Sequence, residues 1–138
     1  MKYKTETELK SVVERFENGT ISRDAWGHPE HLIVAFHYAS TNDLALALEK
    51  MRRGIFNLLK AFGVDLTREM PYHETMTVFW MRTVFDFAAS KNGSSIVESC
   101  AEMIEKFDKN YPLRFYTREL LFSDEARNGF VLPDLISK

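Results

Sequence analysis

Apolar residues recur along the chain at steps of three and four, and they mark out helices one after another. Leu9, Val12, Val13 and Phe16 form the first such stripe. Thr5-x-x-Glu8 ahead of it has the form of a capping box, and Asn18-Gly19 behind it is a helix stop. Residues 20–27 connect onward, with a turn opened by Ser22 and the large Trp26 at its end. A second helix starts at Pro29 with His28 near its N-cap, and Leu32, Ala35, Phe36 and Ala39 form its stripe. Thr41-Asn42-Asp43 breaks and recaps the chain. Leu44, Leu48, Met51, Ile55, Leu58 and Phe62 then give the most regular helix, ended by Gly63. Gly54 interrupts it at up to about 1 kcal/mol, a cost that a close helix crossing or an approaching ligand would justify.

A fourth helix is expected over residues 71–90, opened by Pro71 and carrying Met76, Thr77, Trp80, Val84 and Phe87 on one face. Ser95-x-x-Glu98 caps a fifth, with Ile96, Cys100, Met103, Ile104 and Phe107 as its stripe and Tyr111-Pro112 as its end. Residues 113–122 are aromatic and partly helical. Ser123 caps a short turn through Arg127, and residues 129–135 read as an extended apolar strap. No run alternates as a strand does. The pattern therefore predicts an all-α, single-domain bundle of about five helices over residues 1–138, with an irregular C-terminal strap.

Composition narrows the function classes. The 138 residues suffice for one domain with a core, and 45% hydrophobic residues with 28% charged ones exclude a disordered chain. A net charge of −2 argues against general nucleic-acid binding, which rests on a basic surface. No apolar run reaches the roughly 18–20 residues of a membrane span. The N-terminus is charged and lacks a hydrophobic signal region, and Cys100 stands alone, so no internal disulfide forms. The expectation is a cytoplasmic protein without nucleic acid or membrane among its partners. A homodimer through the apolar third helix is a further expectation.

Two stretches concentrate chemistry. Tyr72, His73, Glu74, Thr75 and Thr77 lie among Met76, Val78, Phe79 and Trp80, and Trp26-Gly27-His28-Pro29-Glu30-His31 repeats the same grammar. His31 and His73 each fall near the third position of a Pro-initiated helix. If those helix ends pack together, His28, His31 and His73 converge, with Glu30, Glu74, Tyr72 and Tyr38 near them. Three readings follow. Imidazoles on adjacent turns hold a divalent transition metal such as Zn, Fe or Ni, with a carboxylate completing an open site. Alternatively, His73 is an acid or base oriented by Glu74, and Trp26, Tyr38, Tyr72, Thr77 and Trp80 line a small-molecule pocket, where helix N-termini favour an anion. In the third, the imidazoles and carboxylates cap helices, and the threonines bond back one turn. On this pattern Cys100 is an inert core thiol, Arg52-Arg53 a solvated edge, and Asp134 and Arg127 members of local ion pairs.

The ordered set Trp26-x-His28-x-x-His31-Leu32, Tyr72-His73-Glu74-Thr75-x-Thr77-x-Phe79, Ala126-Arg127 and Pro133-Asp134-Leu135 resembles a set of small, uncharacterised bacterial α-helical proteins across nearly the whole chain. The resemblance implies that these motifs belong together and implies no particular reaction. The expected function is a small-molecule-binding or -processing protein with a His/Glu site between helix N-termini. The alternative is a non-catalytic helical interaction module whose His and Glu groups are structural caps.

Overall fold

Five consecutive residues, Leu32 to Phe36, are all buried, so the helix that carries them has no solvent face over that stretch. This helix is the axis of the bundle. In the computed structural model, which describes residues 1–69 and 71–135, it is α2 (His28–Thr41). Around it stand α1 (Glu6–Glu17), α3 (Leu44–Ala61), α4 (Glu74–Ser90) and α5 (Ile96–Lys106). A 3₁₀ turn (Tyr111–Arg114) and two short helices, α6 (Arg118–Leu121) and α7 (Asp124–Asn128), lead into an extended segment that reaches residue 135. The fold is all-α, and no strand occurs among the described residues. Met70, just before the helix expected over 71–90, and residues 136–138, just after the strap expected over 129–135, lie outside them. None of the described helices is long and apolar enough to cross a membrane.

Local chemistry sets the boundaries. Thr5 and Glu8 form the expected capping box, with the Glu8 N–H on Thr5 Oγ1 at 3.1 Å and the Thr5 N–H on Glu8 Oε1 at the same distance. Gly27 precedes α2, and its N–H donates to Glu30 Oε1 at 3.1 Å. Asp43 caps α3 by accepting from Leu46 N at 2.8 Å, and Ser95 caps α5. Gly63 then leaves α3 with φ +80°, a conformation open to glycine at no steric cost. The fifth helix stops at Lys106 instead of at Tyr111-Pro112. Tyr111 belongs to the 3₁₀ turn that follows and packs its ring on Phe107, with 4.9 Å between centroids.

Packing explains Gly54. A Cβ built there would stand 2.3 Å from Cε2 of Phe16, a fully buried ring on α1 that stacks on Trp26 at 4.9 Å. The glycine lets α3 cross α1 closely. The apolar stripe of α3 is spent inside the same chain: Met51 and Leu58 are buried, and Leu48, Ile55 and Phe62 pack against the core.

α2 and α4 pack side by side and run the same way, since His28 meets Trp80 and, further along, Phe36 meets Phe87. The start of α2 therefore lies level with the middle of α4. That offset decides where the candidate side chains meet.

Candidate functional site at the start of the fourth helix

α4 does not begin at Pro71. It begins at Glu74, and His73 is its N-cap in extended conformation (φ −128°, ψ 105°). Nδ1 of His73 accepts the Met76 N–H at 3.1 Å, satisfying one of the free amides of the first turn. With Nδ1 an acceptor, Nε2 carries the proton, and it donates to the carbonyl oxygen of Leu121 at 2.6 Å. The ring thus ties the start of α4 to the end of α6, and both nitrogens are used. Burial lowers its pKa first of all; the Leu121 carbonyl opposes the shift, and the charge of Arg127 adds to it. His73 is held neutral.

Glu74 is equally engaged. Arg52 on α3 grips it through Nε on Oε1 at 2.8 Å and Nη2 on Oε2 at 2.6 Å, and the Tyr72 hydroxyl donates to Oε1 at 2.5 Å. Burial works to raise its pKa, yet the hydrogen bonds from Arg52 and then Tyr72 outweigh it and hold the carboxyl below its ordinary range. Burial and the Glu74 hydrogen bond in turn push the Tyr72 phenol well above its usual value. Phe56, one turn beyond Arg52 on α3, packs on the Tyr72 ring at 4.6 Å. The expectation that Arg52 is merely a solvated edge is corrected by this bidentate pair. Arg53 is the outward residue and pairs with Glu49 one turn back.

The two threonines take structural partners. Thr77 Oγ1 donates to the His73 carbonyl at 3.0 Å, the back-bond to the preceding turn. Thr75 lies off the stripe formed by Met76, Thr77, Trp80, Val84 and Phe87, yet it is completely buried. Its hydroxyl donates to the Gly129 carbonyl at 2.9 Å and accepts the Val131 N–H at 3.1 Å. The strap and α7 cover a second face of α4, so one helix carries two buried sides.

The other motif is built separately. His28 Nε2 donates to the Phe107 carbonyl at 2.8 Å, joining the start of α2 to the end of α5, and its ring lies 4.9 Å from that of Trp80. Trp80 is seven residues from His73, about 10 Å along α4 at 1.5 Å per residue. The two-turn offset keeps His28 from meeting His73. His31 faces Trp26, with centroids 5.9 Å apart. Burial, and then the neighbouring His28, draw its pKa down to about 4. Tyr38, two turns beyond His31, donates to Glu17 of α1 at 2.9 Å. Among the described residues no three His, Cys, Asp or Glu side chains are grouped to hold a metal ion. The structure thus unites Tyr72, His73, Glu74 and Thr77 at the start of α4 and Trp26, His28, His31 and Trp80 around the start of α2, with Tyr38 further along α2 and apart from both.

Two polar partners, Tyr3 and Glu17, stand outside the motifs read from the sequence, and Arg52 enters them only as a solvated edge. Glu30 was expected near the imidazoles. It is 5% exposed, accepts from the Tyr3 hydroxyl at 2.6 Å and has Lys2 at 3.9 Å, which together anchor the N-terminal segment to α2. A half-buried carboxylate beside apolar residues needs a donor. Arg52 with Phe56 one turn on was the signal on α3 for that of Glu74. Among the described residues no cation pairs with Asp134, and its carboxylate accepts from the N–H and hydroxyl of Thr117 at 2.8 and 2.7 Å.

Comparison with family models, with curated proteins and with solved structures gives no match.

Proposed function

We propose that this chain is a non-catalytic helical interaction module in which His28, His73 and Glu74 hold helix ends in place. The observation that carries this reading is the complete engagement of the two strongest candidates. His73 uses one nitrogen for the first turn of α4 and the other for Leu121. Glu74 receives donors on both oxygens. A general base or a metal ligand needs a free lone pair aimed at its target. Here each such lone pair would first have to leave an intramolecular partner, at about 1–3 kcal/mol per abandoned buried group.

The test combines elemental analysis of the purified protein with thermal unfolding of a His73→Ala variant. A module of this kind gives a variant of lower Tm and no stoichiometric metal in either protein. A stoichiometric metal that disappears in His73→Ala, or a variant as stable as the parent, would overturn the reading. In that event the His/Glu small-molecule site between helix N-termini, with its divalent metal, is the reading to restore.

A further inference from the structure

Away from His28, His31 and His73, a pocket of about 90 Å³ opens between α1, α2 and α5, with His37, Ser40 and Thr41 of α2 among its lining residues. Leu9, Val13, Ile33, Phe36 and Cys100 form its walls, each of them 6% exposed or less. The Cys100 thiol, which burial pushes up to about 12, is part of that apolar lining. This part of the lining is apolar and favours hydrocarbon over water. The pocket is smaller than the roughly 150 Å³ that holds a benzene ring, so it fits the last few carbons of a chain.

A second cleft adjoins the pocket and shares Phe36, Ser40 and Ile96 with it. It is larger, about 440 Å³, and Lys91, Asn92 and Ser94 bring polar groups to it. The charges around both openings are already balanced. Lys10 pairs with Glu6 at 3.7 Å, and Lys91 with Glu102 at 2.8 Å. What the second cleft offers beyond these pairs is hydroxyl and amide hydrogen bonding from Ser40, Asn92 and Ser94.

We infer that the pocket and cleft together form a binding site for a small amphiphile, with its alkyl end in the pocket and an uncharged hydrogen-bonding head in the cleft. The site shares no residue with the α4 junction, so it stands whether or not His73 and Glu74 are caps. Hydrocarbon supplies the affinity, because Leu9, Val13, Ile33, Phe36 and Cys100 offer the alkyl end an apolar wall. The balanced charges at the openings select the head: a carboxylate would have to compete with Glu6 or Glu102 for its lysine, whereas a hydroxyl would not.

Titration of methyl-labelled protein with 1-hexanol and, separately, with hexanoate tests this by NMR. Hexanol is expected to shift the methyl signals of Leu9, Val13 and Ile33 saturably, with an affinity at least about tenfold above that of hexanoate. An Ile96→Trp variant plugs the mouth from an exposed position, Ile96 being 42% exposed, and leaves the core untouched. It is expected to abolish the shifts while keeping the wild-type helical circular dichroism. The inference fails if hexanol moves none of these methyls up to its solubility limit, if hexanoate binds as well or better, or if folded Ile96→Trp responds as the parent does. Failure here leaves the capping proposal standing, because that is read from unfolding and metal content.

Discussion

The imidazole of His73 spans two helices, accepting from Met76 at the start of α4 and donating to Leu121 at the end of α6. The two bonds separate under substitution. His73→Asn keeps an N-cap acceptor but cannot reach Leu121. His73→Ala loses both. We expect His73→Ala to lower unfolding free energy by about 1–3 kcal/mol and His73→Asn by about half as much, measured by urea denaturation at neutral pH. Equal losses would mean that the cap contributes nothing.

Arg52 and Glu74 are joined by a two-pronged pair in which the carboxylate is 18% exposed and the guanidinium 39%. The exposure of Arg52 limits the gain, so a double-mutant cycle of Arg52→Ala and Glu74→Gln should return a coupling of about 1 kcal/mol, reduced at high salt. Because the Glu74 pKa is depressed on folding, its contribution is present above the ordinary carboxylate pKa and is lost as pH falls through the folded value. A coupling that is zero at neutral pH and low salt would remove the pair from the stability of the junction.

His31 supplies a second pH dependence. Its folded pKa of about 4 lies below the 6.5 of an ordinary imidazole, so the unfolded chain takes up a proton first as pH drops. Stability is full above about 6.5 and falls between there and about 4, by up to about 3 kcal/mol. A His31→Phe variant should show a shallower loss over this window than the parent in denaturation series run at several pH values. Parallel pH profiles would show that the ring titrates as it does in the unfolded chain.

At Gly54 two effects oppose each other. Alanine is the better helix former by about 1 kcal/mol. The added methyl, however, would enter the ring of Phe16, itself fixed between α3 and Trp26. Overpacking of a fixed ring costs typically about 1–3 kcal/mol, so Gly54→Ala should destabilise. In a Phe16→Leu background, where the space is released, the same change should become neutral or stabilising. The double-mutant cycle checks the sign directly.

These cases show what the pattern of residues could convey. Short-range chemistry was legible: Thr5, Asp43 and Ser95 cap the helices they were expected to cap, because a cap and its amide lie three residues apart. Stripe logic worked where one face is buried, as on α1 and α3. On α2 and α4 it found one buried face, with Leu32, Ala35, Phe36 and Ala39 and then Thr77, Trp80, Val84 and Phe87 buried, and missed the others. There the periodicity is blurred because neighbours cover more than one side, and only the tertiary fold reveals a Thr75 as buried as Val84. The convergence of the imidazoles assumed helix ends in register. The parallel packing of α2 and α4 with a two-turn offset depends on how the chain returns after α3, which no local signal encodes.

Thr75 gives the sharpest test of that second buried face. Its hydroxyl is a two-way bond to the strap, donating to Gly129 and accepting from Val131. Further along, Tyr116 donates to the Val131 carbonyl at 2.7 Å and the Leu135 N–H to the Phe115 carbonyl at 2.9 Å. The strap thus lacks the repeating ladder of a strand and depends on separate bonds, of which Thr75 makes two. Thr75→Val keeps the volume and removes both, leaving a carbonyl and an amide to find other partners, at about 1–3 kcal/mol. Thr75→Ser restores the hydroxyl and should remain near the parent. Limited proteolysis is expected to cut Thr75→Val after residue 128 well before the parent, with Thr75→Ser resistant. Equal cutting of the three proteins would show that apolar contacts alone hold the strap on α4.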